Sequence, residues 1–229
     1  MKILALTLQT NNLKATEEFY STTLGLQLVE KTERSLSYAV HFSRLTFELT
    51  EAEVCPTYHF AFNISLNKMQ EALTWLSTRV QLIPNEDQKQ IVDFKDWKAQ
   101  AIYFYDSNQN ILEFIGREGL QNNSAKAFDS EGILCLNEVG IVTEEPLTLA
   151  EEILEKTGVG YFDKGPKRSD FVAMGDDNGL FVISTVHRNW YPTSHQAQKY
   201  NVGVAIRVGV NNPCDYQLEF NDGKLAVLL

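Results

Sequence analysis

The stretch "LQTNNLKATEEFYSTTLGL", Leu8–Leu26, contains the end of one strand, a helix start and a helix stop. Before it, "ILALTLQT" alternates apolar and polar residues with the period of two expected of a strand. Asn11 or Asn12 is placed to cap the helix, because a short polar side chain can accept from the free N–H groups of a first turn. Leu13, Thr16 or Glu17, Tyr20 and Leu24 recur at helical spacing, and Gly25 stands where a left-handed residue ends a helix. Three short strand runs follow, "LQLVEKTE", "SLSYAVHF" and "LTFELTE". The order is strand, helix and three strands, βαβββ.

The order then repeats. "YHFAFNIS" is a strand and "LNKMQEALTWLSTRV" a helix with Met69, Leu73 and Leu76 on one stripe. "QIVDFKDW", "AQAIYFYDS" and "NILEFIGRE" are strands, the last two joined by a polar turn. The units cover 1–52 and 57–117, and an internal repeat of this kind governs the whole architecture. Residues 118–130 are polar, without a clear period, and are expected to be a linker. A third copy follows: strand "ILCLNEVGIVT", helix "PLTLAEEILEKTG", then strands near "GYFDKG", "DFVAMGD" and "GLFVISTV". A fourth starts at "YNVGVAIRVGV", lacks a helix and ends in a hairpin. The expected organisation is a complete domain of paired units over 1–117, then the linker, then a degenerate, truncated copy over 131–229.

Alternation assigns side chains to faces. Leu4, Leu6 and Leu8 oppose Ala5, Thr7 and Gln9; Leu45, Phe47 and Leu49 oppose Thr46, Glu48 and Thr50. Phe60, Phe62 and Ile64 oppose His59, Ala61 and Asn63, and Leu112 and Phe114 oppose Ile111, Glu113 and Ile115. The second faces are too polar for a sheet buried on both sides, and too small and apolar for one open to solvent. The expectation is an α+β fold of tandem βαβββ units, with curved mixed sheets around a cavity and helices on the outer face. Glu48, His59 and Glu113 point into that cavity.

The 229 residues carry a formal charge of −10, which argues against nucleic acid or an anionic membrane as partner. Three cysteines without CxxC spacing suit a reducing, cytoplasmic setting. "MKILALTLQTNN" is too short an apolar run for a signal segment, and no run approaches the ~20 residues of a membrane span. The expected partner is a small-molecule ligand or substrate, with a second copy of the chain as a candidate for a homodimer.

The βαβββ order, "FYSTTLGL" after "LQTNNLKAT", and "YFYDSNQNILEF" at the unit end together resemble the vicinal oxygen chelate superfamily, which includes glyoxalases, bleomycin-resistance proteins and extradiol dioxygenases. The match covers residues 1 to about 117 well and 131–190 more loosely. The resemblance implies metal ligands on the first and last strand of each unit, which are Ala5, Glu48, His59 and Glu113 in this chain. Glyoxalase I-type members have His, Glu, His and Glu there. Ala5 breaks the two-His, one-Glu set of the dioxygenases, so ring cleavage by that arrangement is disfavoured. Glu48, His59 and Glu113 still number three, and imidazole with carboxylates suits Zn, Ni, Fe(II) or Mn. The implied function is a metal-dependent lyase- or isomerase-type enzyme for a small oxygen-rich molecule, with Glu48 or Glu113 as displaceable catalytic base. The alternatives are a metal-free ligand-binding or resistance-type protein of the same fold, or a pseudo-enzyme.

In the third unit the equivalent first-strand position falls near Glu138, with no acid on the last strand, so no second metal set is expected. "VHRNWYPTSHQ" holds His187, Arg188, Trp190, Tyr191 and His195. Arg188 and Trp190 could recognise an anionic or aromatic ligand, or the loop could anchor neighbouring units. Cys55 and Cys135 are expected to be packing thiols. No GxSxG or phosphate-binding glycine motif is present.

Overall fold

The computed structural model describes residues 1–228. The first unit comprises β1 (Lys2–Thr10), α1 (Leu13–Glu17, prolonged by a π-helical turn Glu18–Thr23), β2 (Gln27–Lys31), β3 (Ser35–Val40) and β4 (Ser43–Leu49). Asn12 caps α1, its Oδ1 accepting from Ala15 N at 3.0 Å, and Gly25 has the positive φ of a helix stop. The second unit has β5 (His59–Asn63), a 3₁₀ turn leading into α2 (Met69–Ser77), β6 (Leu82–Ile83), β7 (Val92–Phe94), β8 (Ala99–Tyr105) and β9 (Ile111–Arg117). The third has β10 (Cys135–Thr143), α3 (Pro146–Thr157), β11 (Phe171–Asp176) and β12 (Gly179–Thr185). The strand expected near "GYFDKG" is reduced to an isolated bridge from Tyr161 to Met174. The fourth consists of β13 (Val202–Val208), β14 (Cys214–Asn221) and β15 (Lys224–Leu228); Leu229 lies outside the described residues.

Two mixed sheets result, and the units join in a nested order. The first sheet runs β15-β14-β13-β1-β4-β3-β2 and the second β11-β12-β10-β5-β9-β8-β6, with β7 also on β8. Unit 1 therefore shares a sheet with unit 4, and unit 2 with unit 3. The expected pairing of 1–52 with 57–117 is not the pairing the sheets make. The reason is edge chemistry. Within each of the first three units the first strand pairs with the last, which leaves the first strand's other edge open to a strand of another unit. β1 gives that edge to β13 and β5 gives it to β10, both antiparallel. Residues 118–130 join β9 to β10, the two strands that flank β5 in one sheet.

The apolar faces expected from alternation meet in one core. Leu6, Leu8 and Phe47 of the first sheet, Phe60, Phe62, Phe114 and Phe181 of the second, and Tyr20, Leu76 and Ile153 of the helical segments form a contiguous buried cluster. Phe181 on β12 meets Phe220 on β14 across the sheets, ring centroids 5.7 Å apart. The opposite faces line separate clefts, one per sheet. No helix among the described residues is long and apolar enough to cross a membrane.

Candidate metal centre

β5 is the middle strand of its sheet, and Ala61 is its pivot. Glu113 on β9 stands opposite Ala61 from one side, and Glu138 on β10 from the other. His59, two residues earlier, shares the face of Ala61. The short Ala61 side chain leaves the space that the two glutamates enter. A β-bulge between Leu136 and Glu138 helps to aim the third member. The ligand atoms of His59, Glu113 and Glu138 lie within 4.8 Å of one another, and all three residues are buried.

Glu48 is not part of this group. It lies on β4 of the other sheet, exposed, in a cleft it shares with Ala5, Thr7, Gln9 and Gly203. Of the expected set Glu48, His59 and Glu113, the fold brings together the latter two and supplies Glu138 in place of Glu48. The physical reason is the nested pairing: β5 borders β10, so its neighbouring site residue comes from the third unit. Glu138 stands at the first-strand position of the third unit, so that unit adds one residue to this group. The signal for Glu138 was an Asn-Glu pair inside an otherwise apolar run, "LCLNEVGIV". A strand buried along its whole length keeps such residues only when they are paired.

The electrostatics distinguish the three residues. His59 Nδ1 donates to Ile111 O at 3.0 Å. Nε2 therefore carries the lone pair, and it lies 3.8 Å from Glu113 Oε2. Burial lowers the His59 pKa to about 4, so the ring is neutral at physiological pH. Burial also pushes Glu113 well above the usual carboxylate range, and the neighbouring Glu138 charge adds to the shift. Glu138 is raised by burial too, but Arg117 opposes this. Arg117 is itself buried; its Nη2 pairs with Glu138 and its Nε donates to Asn137 Oδ1 at 2.9 Å. It holds the Glu138 carboxylate in place.

These residues fit a divalent cation. The free imidazole nitrogen and two carboxylates make a mixed N/O donor set, and a cation would remove the repulsion between the two buried acids. Two ligands each about 2.1 Å from one ion can be at most about 4.2 Å apart. The His59–Glu113 separation already meets that limit.

The triad opens into a cavity of about 260 Å³, at the small end of small-molecule sites. Phe94, Trp97, Tyr103, Phe171, Trp190 and Tyr191 give it an aromatic wall. Trp190 comes from the loop after β12 and lies 5.0 Å from the His59 ring, centroid to centroid. It can do so because residue 140 of β10 is glycine: a Cβ there would lie 2.9 Å from both His59 O and the Trp190 ring. His187 and His195 are exposed and lie outside the metal group. His195 packs on Tyr105, with centroids 5.3 Å apart.

No protein-family model matches the chain, and no curated protein matches it. Solved structures do. A protein of Bacillus subtilis subsp. subtilis str. 168, provisionally named a dioxygenase, superposes with a TM-score of 0.58 at 18% identity, over 80% of this chain and 63% of that one. The chain thus spans less than two thirds of that protein's length. A Nocardioides glyoxalase/bleomycin resistance protein/dioxygenase is 21% identical over 56% of this chain and 89% of that one, with a TM-score of 0.42. Lactoylglutathione lyase from Agrobacterium tumefaciens is 18% identical over 53% and 96%, with a TM-score of 0.43. The chain has the vicinal oxygen chelate fold, as its βαβββ repeat implies.

Proposed function

We propose that the protein is a divalent-metal-dependent enzyme of the lyase or isomerase type acting on a small oxygen-rich molecule, with His59, Glu113 and Glu138 as metal ligands. One observation carries the reading: a neutral imidazole with a free Nε2 and two buried carboxyls converge at the inner end of an aromatic cavity. A bound Zn, Ni, Fe(II) or Mn ion would supply Lewis acidity for an oxyanion or enolate. The chain's own residues then have separable roles. His59 and Glu138 are held by partners, Ile111 O and Arg117, and serve as fixed ligands. Glu113 has no arginine bonded to it and its proton affinity is raised, so it is the displaceable acid that takes and returns a proton. The unpaired Cys55, Cys135 and Cys214 support a reducing, cytoplasmic compartment. The free edge of β15 is where a second copy would add to make a homodimer.

Metal analysis of untagged protein tests the assignment. About one divalent ion per chain is expected, lost in His59→Ala and Glu138→Ala and kept in Glu48→Ala. Full occupancy in His59→Ala overturns the ligand set. The second reading, a metal-free ligand-binding or resistance-type protein, is favoured by Val182, which gives the cavity an apolar side chain from β12 where a fourth ligand would stand. Absence of metal under every loading condition selects it.

A further inference from the structure

The cavity is polarised along its length. Its inner end holds Glu113 and Glu138, and its remaining charged lining residues are Arg168 and Arg188. These arginines share a single carboxylate: Asp170 lies 3.2 Å from Arg168 Nε and 3.6 Å from Arg188 Nε. Two cations against one anion leave one positive charge in surplus. In a chain of net charge −10 this is a local exception to a surface that repels anions.

Arg188 is built as a platform. Its guanidinium lies over the Phe171 ring, 4.4 Å from the centroid, and its side chain is 25% exposed. Nη1 reaches Asn189 O at 3.4 Å, and Nη2 has no protein partner among the described residues. A flat cation stacked on a ring keeps its edge free for a bidentate partner. Burial and the neighbouring Arg168 disfavour its charge, Asp170 favours it, and the negative charge of an incoming anion would add to the effect of Asp170. Phe94, Trp97, Trp190 and Tyr191 line the small cavity, and aromatic walls of this kind suit a ligand that is itself flat and partly apolar.

We propose that the ligand of this cavity is a small flat carboxylate whose anionic group is held by Arg188, with Arg168 adding charge beside it. The proposal rests on the cavity being the substrate site, and it adds the charge and shape of the substrate. It places the carboxylate at the arginine end and leaves the rest of the molecule to face His59, Glu113 and Glu138.

The test uses chelator-treated full-length protein, so that its outcome does not depend on the metal. Benzoate and benzamide have the same ring and nearly the same size and differ in charge. Benzoate is expected to bind at least about tenfold more tightly by calorimetry, the scale of a charge-assisted pair. Arg188→Gln should abolish the preference, Arg188→Lys should keep part of it, and Arg207→Gln, a remote exposed arginine, should leave it unchanged. Thermal melts of the variants separate loss of binding from loss of fold. Equal binding of the two probes, no saturable benzoate binding at millimolar concentration, or a preference that survives Arg188→Gln overturns the proposal. A benzoate preference without any metal uptake would sink the metal reading and leave this one standing.

Discussion

At the scale of single residues, the site is held together by a balance that a pH series can read. Glu113 titrates in the folded protein well above the ordinary value of 4.5. Below 4.5 both folded and unfolded states keep this proton, and burial of the group costs no ionisation energy. As pH rises above 4.5 the unfolded chain ionises first and gains stability, so the metal-free native state is weakened progressively. Glu113→Gln removes that weakness. In urea titrations of metal-free protein, the variant should match wild type near pH 4 and become more stable as pH rises. The gap should grow by at most about 1.4 kcal/mol per pH unit, the limit for one proton. A gap that stays flat with pH would mean Glu113 is ionised in the native state. His59 is shifted the other way, down to about 4, and its contribution is lost as pH falls from the ordinary histidine range. It is common to both proteins and drops out of the comparison.

At the scale of elements, β10 carries more than its sequence suggests. It supplies Glu138, bulges beside it, and two residues later offers the glycine against which Trp190 and His59 close. Gly140→Ala places a methyl against backbone on one side and an indole on the other. A loss of about 2 kcal/mol is expected for such overpacking, with metal affinity falling as well. Urea denaturation and metal titration check both effects; a neutral substitution would show that the Trp190 loop moves aside freely. The strand faces were legible in the residues themselves: Phe60 and Phe62 are in the core, while on the other face His59 lines the cavity and Ala61 is buried with Ala99 and Ile115. Glu113 was legible for the same reason. Glu138 was not grouped with them, because alternation describes one strand at a time and a bulge shifts register without altering composition. Glu48 was misplaced for a related reason: a repeat identifies equivalent positions but not which unpaired edge each first strand will join.

At the scale of the whole molecule, that choice of edge decides what can stand alone. A fragment of residues 1–117 contains two full βαβββ units, yet it would expose the edge of β1 that takes β13 and the edge of β5 that takes β10. It also lacks a large part of the shared core, including Ile141, Ile153, Phe181 and Phe220. Such a fragment should be aggregated or unfolded by circular dichroism and light scattering. The intact chain should unfold in one cooperative step, because both sheets share that core. A soluble, folded 1–117 with a sharp melt would restore the division suggested by the repeat.

The nesting also sets an order in time. During synthesis from the N-terminus, every strand of the sheet that holds His59, Glu113 and Glu138 emerges before β13 exists. The second sheet can therefore close while β1 still waits, its edge bare, for a partner made only after that sheet is complete. The half that holds His59, Glu113 and Glu138 is free to mature early. The interval until β13 arrives is the period in which the nascent chain is most open to pairing with the wrong strand.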